Sequence, residues 1–329
     1  MHAGRHYTFK EVVTWTGQDL VLFTAIGSLP LWITLLGVPL PPIPWAPIAV
    51  VGTALAFVTG FKSNAAYGRL WEARKIWGSI VNSSRSFIIH LREYVGEEED
   101  GVVRAAVLRH VAWLTALRFQ LRQKRAWESQ VVASNRRYRE QTYQIPEDSL
   151  DIVAEIRARV SDDEWELVGD VRNRAVTLLG LHARMLRKLA EKGVVSEFRH
   201  VDLSRYVTDF IDQQGKCERI KNFPYPRQYA TLNKFFVWLF ILVMPFAVAS
   251  ELQQLGEGWA WLTVPMTAVV AWVFHTMDRI GSVSENPFEG SPNDVPITQL
   301  SRLIEIDLLE LAGDQELPAP LGPQRHILM

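Results

Sequence analysis

The chain has 329 residues, of which 48% are hydrophobic and 22% charged, and its formal net charge is −1. A charge balance so close to zero gives no indication of a nucleic-acid partner, and the single cysteine, Cys217, excludes an intrachain disulfide. The charges are segregated, because 30 of the 35 Lys and Arg residues fall between Lys62 and Lys234. Residues 12–61 and 235–278 contain none. We therefore expect two lipid-compatible regions on either side of a long solvated one.

Each region without Lys or Arg contains two apolar runs. In chain order these are Leu20–Val38, Trp45–Phe61, Phe235–Ser250 and Trp259–Met277. A helix needs about 20 residues to cross the hydrocarbon core of a bilayer. Trp45–Phe61 barely reaches this length, and Phe235–Ser250 reaches it only with flanking residues. The sequence predicts four membrane helices, at about 17–38, 45–67, 231–251 and 259–280.

The second apolar run continues without a break into charged sequence. No proline occurs between Pro47 and Pro146, and proline is the strongest helix breaker. We predict one long helix, or two nearly collinear ones, from Trp45 to about Tyr94. A spacing of i, i+4, i+8 places three side chains on one face of this helix, namely Thr53, Phe57 and Phe61. Such a stripe is compatible with a pore lining, but spacing alone favours an ordinary packed transmembrane helix.

The solvated middle region is predicted to be almost entirely helical, since no stretch shows sustained strand-like alternation. EEEDG at 97–101 is interpreted as a turn and residues 135–149 as a loop. Apolar residues at helical spacing predict a helix between these two segments, around residues 103–121. Helices are then expected at Leu150–Val160, Asp162–Glu191 and Leu203–Arg219.

The loops predict the topology. The two short connections between membrane runs, 39–44 and 251–258, contain neither Lys nor Arg, whereas the middle region is rich in both. By the positive-inside rule, the middle region and both termini lie in the cytoplasm. Residues 1–16 are expected to lie at the inner interface. The first run is not a signal peptide, because it is too long and no small-residue cleavage site follows it.

No enzyme chemistry is indicated. The sequence lacks GxGxxG, P-loop, HExxH and GxSxG motifs. Of its eight scattered histidines, five include no pair at metal-ligand spacing, namely His90, His110, His182, His200 and His275. No cofactor or metal is therefore expected. His110, on an apolar helix face, is interpreted as a core residue. Glu285 and Asp294 flank NPFEGSPN, where carboxylates could bind Ca²⁺, but turns with Asp294 as a helix cap explain this segment equally well.

Three segments together resemble the signature segments of bacterial bestrophins. They are GFKSNAAYGRLWEARKIWGSIVNSSR (60–85), GKCERIKNFPYPRQY (215–229) and ENPFEGSPNDVPITQLSRLIEIDLLEL (285–311). The similarity in order and spacing extends over residues 5–311. Each segment alone is a weak signal, since helix packing or membrane anchoring would explain it.

The resemblance implies an all-α membrane protein that assembles as a homopentameric ion channel in the bacterial inner membrane. It implies that Thr53, Phe57 and Phe61 form the apolar neck of the pore, which reverses the preference for an ordinary packed helix. Thr53 departs from the aliphatic residue usual in the family. A cytoplasmic aperture is expected near Leu178 or Leu181. Glu289 and Asp294 are the only acids in EGSPND, so gating by Ca²⁺ is not expected.

The resulting organisation is a channel domain at 1–312 and a disordered tail at 313–329. Within the channel domain the cytoplasmic region comprises about 68–230 and 281–312. The expected partners are other copies of the chain, the lipid bilayer and small monovalent ions, with anion or cation preference left open. The alternative hypothesis is a non-conducting membrane scaffold that docks a cytoplasmic partner.

Overall fold

A computed structural model describes residues 1–96 and 100–329. Over these residues the chain is helical and has no β-strand. The eleven α-helices of the described chain are α1 (Phe9–Leu35), α2 (Trp45–Val95), α3 (Asp100–Arg122), α4 (Ala133–Thr142), α5 (Ile152–Arg157), α6 (Asp162–Val168), α7 (Arg174–Glu191), α8 (Glu197–Asn222), α9 (Arg227–Gln254), α10 (Thr263–Val283) and α11 (Ile297–Leu311). Short 3₁₀ turns lie at Ser129–Val131, Pro146–Asp148 and Glu257–Leu262.

Helix α2 confirms the prediction of one unbroken helix. It has 51 residues, which corresponds to about 75 Å at a rise of 1.5 Å per residue. A bilayer core is about 30 Å thick, so more than half of α2 extends beyond it. The helix ends at Gly96, whose φ of 77° is readily adopted by glycine. α2 therefore connects the membrane region to the rest of the molecule.

Four helices are long and apolar enough to cross a membrane, as the sequence predicted. They are α1, the first part of α2, α9, and α10 with the turn before it. α1 begins at Phe9, earlier than expected, because Thr8 and Glu11 form a capping box that satisfies free amides at its N-terminus. The four helices share an apolar core that includes Phe23, Leu55 and Phe240.

A second, larger core lies along the other half of α2. It is built by α2, α3, α7, α8 and α11, and its largest fully buried side chains include Trp77, Phe87, Trp113 and Phe210. The helix predicted around residues 103–121 is α3, and its apolar stripe faces this core. The half of α2 outside the membrane runs is thus supported by a helical bundle of its own.

Three predicted elements of the middle region differ from the structure. The helix predicted at Leu150–Val160 is shortened to the six residues of α5. Residues 135–149 are not all loop, because α4 occupies 133–142 and buries Asn135 and Tyr138 on one side. The predicted helix 162–191 is interrupted at 169–173, where Asn173 caps α7 by accepting a hydrogen bond from the Val176 amide at 3.2 Å. The turn proposed at 97–101 falls largely on residues 97–99, outside the described residues.

The tail at 313–329, expected to be disordered, has an irregular but packed conformation. Ile327 and Met329 are buried in a small cluster with Tyr138 and Tyr143. The Leu328 amide donates to the Met1 carbonyl at 2.8 Å, so the two ends of the chain lie side by side.

Candidate functional site

The predicted neck residues lie on one uncovered face of α2. Thr53 is exposed, and the side chains of Phe57 and Phe61 are 65% and 71% exposed. The Thr53 hydroxyl donates to the Ala49 carbonyl at 2.9 Å, so it is satisfied within the helix. Two phenyl rings one helical turn apart are thus largely uncovered by the described part of the chain. This face is therefore free to contact lipid, another copy of the chain or a pore.

The opposite face of the same segment is tightly packed. Gly52, Leu55, Thr59 and Lys62 are buried there, at intervals of three or four residues, against α9 and α10. Gly52 allows the closest approach, because a Cβ at this position would lie 3.0 Å from the ring of Phe240. α2 is therefore fixed from behind while its phenyl stripe stays free.

A buried ion pair joins α2 to α10 directly behind the stripe. Lys62 follows Phe61, and its Nζ donates to Asp278 Oδ1 at 2.7 Å and to Ser282 Oγ at 2.7 Å. Both charged side chains are less than a tenth exposed. A buried charge is strongly unfavourable unless it is paired and hydrogen-bonded, so this contact specifies how α2 sits against α10.

Polar groups of α2 and α9 extend this ion pair into a network. Asn233 Nδ2 donates to Asp278 Oδ1 at 2.6 Å, and the Thr59 hydroxyl donates to Asn233 Oδ1 at 3.3 Å. Thr59, Lys62, Asn233 and Asp278 are all buried; we call them the rear network. Three of the four candidate membrane helices meet in it.

Two turns further along α2, a second anchor joins the three segments that carry the family resemblance. Arg69 Nε donates to the Glu285 carbonyl and Nη2 to the Ile220 carbonyl, both at 2.9 Å. Arg227 Nη1 donates to Glu285 Oε1 at 2.6 Å. Segments far apart in the sequence therefore converge at one point beside α2.

The carboxylates of the 285–294 segment are engaged within the protein. Glu289 accepts from the Ser129 amide at 2.8 Å and from the Ser129 hydroxyl. Asp294 accepts from the Gly290 and Ser291 amides at 2.6 and 2.9 Å. Asp294 thus closes a turn and does not cap α11, whose N-cap position is Pro296.

Burial is the main cause that raises the pKa of both Glu289 and Asp294. The guanidinium of Arg122 opposes this effect at Asp294, where Nη1 lies 3.7 Å from Oδ2. In the part of the chain that the structure describes, no group of three or more His, Cys, Asp and Glu residues is placed to hold a metal ion.

The predicted aperture residues are not at the surface of the chain. Leu178 is 0% and Leu181 is 6% exposed, and both belong to the larger core. A side chain in the core of one protomer cannot reach an opening between protomers, so their burial argues against this part of the prediction. By contrast, the side chain of Phe198, in the first turn of α8, lies at the surface of the chain and is 90% exposed.

Two histidines are buried in the same core; we call His110 and His182 the histidine pair. His110 Nε2 lies 2.8 Å from the Ser84 hydroxyl, as expected for a core histidine. Among the described residues, neither ring nitrogen of His182 has a hydrogen-bond partner. Burial lowers the pKa of His110 to about 3 and that of His182 well below its usual value. Both rings are therefore neutral at physiological pH.

Sequence reasoning missed the Lys62–Asp278 pair, although a signal was present. Lys62 is the first charged residue after the apolar run that ends at Phe61, and Asp278 is the first after the run that ends at Met277. Opposite charges at matching depths on two membrane helices are candidates for pairing, because an unpaired charge there is unfavourable.

The comparison with known proteins decides the family. The model of the family described as "Bacterial/Fungal Bestrophin protein" matches residues 9–310. The chain belongs to the bestrophin family. A crystallised bacterial bestrophin homolog from Klebsiella pneumoniae has the same fold, with a TM-score of 0.74 at 23% identity over 93% of this chain and 99% of that one.

Two relatives of this bestrophin have names that state an activity. "Voltage-dependent anion channel-forming protein YneE" of Escherichia coli is 27% identical over 307 residues, which cover 93% of this chain and 88% of the relative. "Voltage-dependent anion channel-forming protein RSc3414" of Ralstonia nicotianae is 26% identical over 282 residues, which cover 86% and 82%.

Proposed function

We propose that this bestrophin is a pentameric channel that conducts small monovalent ions, chiefly anions, through the inner membrane of a bacterium. The observation that carries the proposal is the free stripe of Thr53, Phe57 and Phe61 on a helix whose other face is fixed. The names of the two relatives support anions as the main permeant species.

The proposed pore has five copies of α2 around one axis. Cyclic symmetry would turn each stripe residue into a ring of five side chains, and the phenyl rings left exposed in the protomer would face the axis. A narrow apolar constriction stops ions by dewetting, because a dehydrated ion finds no replacement ligands there. The neck would then act as a gate, with ion preference set by other groups, since no charged residue lies on the stripe.

The proposed topology follows from the same arrangement. The larger helical core, the 285–294 segment and both termini would lie in the cytoplasm, because the long basic region separates the two membrane hairpins and both short hairpin loops lack Lys and Arg. The channel domain would extend over residues 1–312, which agrees with the range that the family model matches.

The cytoplasmic aperture is reassigned within this proposal from Leu178 and Leu181 to Phe198. Phe198 has the most exposed large apolar side chain in the described chain, and its position at the start of α8 follows the turn after α7. Replacing Phe198 with Ala is expected to increase conductance with little loss of stability. Leu178→Ala should instead reduce the melting temperature, since it opens a cavity in the core.

The neck is tested with Phe57→Ala and Phe61→Ala pentamers in planar bilayers. Each variant should conduct more than the wild type, and thermal stability should change little because both rings are mainly exposed. The matched control is Phe240→Ala, which removes a buried ring of the membrane core and should cost about 3–5 kcal/mol. Unchanged current together with a large drop in melting temperature at Phe57 and Phe61 would contradict the pore-lining assignment.

Ion preference and the competing scaffold hypothesis are tested on the same material. Reversal potentials in asymmetric chloride solutions should follow the anion gradient. Native mass spectrometry in mild detergent should show five copies. Absence of ion flux into liposomes from folded pentamers would favour a non-conducting membrane scaffold.

Gating by micromolar Ca²⁺ is not expected. Sensor-type calcium sites use about six to eight oxygen ligands, whereas the carboxylates of Glu289 and Asp294 already accept hydrogen bonds inside the protein. Currents recorded with and without micromolar Ca²⁺ should coincide. A steep calcium response that Asp294→Ala abolishes would refute this.

A further inference from the structure

An apolar cavity of about 410 Å³ lies where α1, α4, α10 and the 285–294 segment meet. Trp15 and Val12 of α1 form one wall, and Trp272, Thr276 and Ile280 of α10 form the other. The cavity holds on the order of a dozen water-sized volumes at about 30 Å³ each. It does not overlap the stripe on α2 and plays no part in the proposed conduction.

Four hydrogen-bonding groups of the lining residues have no partner among the described residues, namely Gln130 Oε1, Tyr138 OH, Trp272 Nε1 and Thr276 Oγ1, and two of them lie together on α10. Trp272 Nε1 and Thr276 Oγ1 are buried and have no hydrogen-bond partner. They lie four residues apart on α10, one above the other on one face of the helix. Across the cavity, the Thr16 hydroxyl donates to the Val12 carbonyl at 2.8 Å and is therefore satisfied. An unpaired buried donor is unfavourable, and a ligand oxygen between Trp272 Nε1 and Thr276 Oγ1 would satisfy both groups.

The lining determines the charge of the ligand. Glu11 is the only charged residue among the lining residues, and its Oε2 accepts hydrogen bonds at 2.7 Å from both the amide and the hydroxyl of Thr8. No lining group can neutralise an anionic ligand. The remaining surface is mainly aromatic and aliphatic, which favours an apolar body.

The position of the cavity determines the route of entry. It lies beside the N-terminal half of α1 and the C-terminal half of α10, at the level assigned to the inner membrane interface. Ile280 both lines the cavity and is 39% exposed, and Val273 on the outer side of the same helix is also exposed. Ile280 therefore brings the cavity to the surface of the chain beside α10, where the proposed topology places lipid.

We propose that this cavity binds one uncharged amphiphile per chain, with its apolar body against Trp15 and Ile280 and a neutral oxygen between Trp272 Nε1 and Thr276 Oγ1. A medium-chain alcohol and the ester end of a phospholipid chain share this chemistry. The ligand would hold α1 against α10, whether or not the channel conducts.

The test measures binding of tritiated 1-decanol to the full-length protein in nanodiscs by scintillation proximity. Binding should saturate at one molecule per chain, whereas partition into lipid rises linearly. Thr276→Val keeps the side-chain shape and removes one hydrogen bond, so it should weaken binding about threefold to tenfold. The control Thr24→Val removes an exposed hydroxyl of α1 that donates to the Leu20 carbonyl, and binding should be unchanged.

Further arms identify the ligand and its source. Val12→Phe, at a partly exposed position, fills the cavity and should abolish saturable binding while the melting temperature is retained. Decanoate at pH 8 should bind much more weakly than decanol. If one phospholipid per chain co-purifies with the wild type and is lost in Val12→Phe, the lipid chain is the natural source. Three results would overturn the assignment. They are saturable binding that is unchanged in Val12→Phe and Thr276→Val, tighter binding of decanoate than of decanol, and uptake of decanol that rises only linearly.

Discussion

Replacing either residue of the Lys62–Asp278 pair alone should destabilise the protein more than replacing both together. Lys62→Met would leave the Asp278 carboxylate buried with Asn233 as its remaining side-chain donor. Asp278→Leu would leave the Lys62 ammonium buried with Ser282 Oγ as its only side-chain acceptor. Each single substitution thus leaves one charged side chain unpaired at a site that is less than a tenth exposed.

The expected magnitude follows from this burial. Removing one partner of a buried ion pair costs about 3–5 kcal/mol, whereas replacing both by apolar residues is often neutral or even stabilising. The double variant Lys62→Met with Asp278→Leu should therefore be more stable than either single variant. The matched control is Lys234→Met, an exposed lysine one residue after Asn233, and its effect should stay within about 0.5 kcal/mol.

The measurement is the midpoint of heat-induced loss of the assembled peak in fluorescence-detected size exclusion. The single variants should melt several degrees below the wild type, since about 2–4 °C corresponds to 1 kcal/mol in chains of 150–250 residues. A double variant whose loss equals the sum of the two single losses would refute the reasoning, because the two residues would then not be coupled.

Three further outcomes are expected. Gly52→Ala should destabilise the membrane core by about 1–3 kcal/mol, because the new Cβ would press on the Phe240 ring. The control is Gly180→Ala on α7, which has open space around it and should not lower the melting temperature. The histidine pair should make the protein acid-sensitive, because below pH 6.5 both histidines take up protons in the unfolded chain and stay neutral in the folded chain. The free energy of unfolding should therefore fall by about 1.4 kcal/mol per pH unit for each histidine. For His110 this fall continues down to its folded pKa of about 3. His110→Phe should reduce that slope in melting curves between pH 7 and 5, and an unchanged slope would contradict the assignment. Ala65→Gly, which softens α2 between its two anchors, should leave single-channel open probability unchanged.

The sequence predicted the membrane region because its signals are local. Length, hydropathy and the absence of proline after Pro47 are sufficient for α2, and four apolar runs are sufficient for the candidate spans. α4 was missed because it is strongly polar and buries only Asn135 and Tyr138, so no apolar period marks it. The interruption at 169–173 was missed because no proline marks it, although Gly169 and Asn173 are residues that often end and start helices.

The candidate site was only half predictable. The stripe can be derived from spacing and from the family resemblance, because its members lie within nine residues of each other. The rear network is harder to derive. The positions of Lys62 and Asp278 after apolar runs make them candidates for pairing, but they are 216 residues apart and one sequence does not say which charges meet. Leu178 and Leu181 illustrate the opposite case: apolar residues on a helix are equally compatible with a core and with an aperture, and only the packing of α3, α7 and α8 separates the two.

The two anchors on the back of α2 restrict how the proposed neck can widen. Lys62 is held by α10, and Arg69, about 10 Å further along the axis at 1.5 Å per residue, is held by the Ile220 and Glu285 carbonyls. Bending α2 between them would disturb the buried contacts of Lys62 and the partly buried contacts of Arg69. Rotation of the exposed Phe57 and Phe61 rings breaks none, so side-chain motion is the less costly way to hydrate the neck. On this argument Phe61→Ala should increase conduction and Ala65→Gly should not. Equal increases in both variants would show that the helix itself bends.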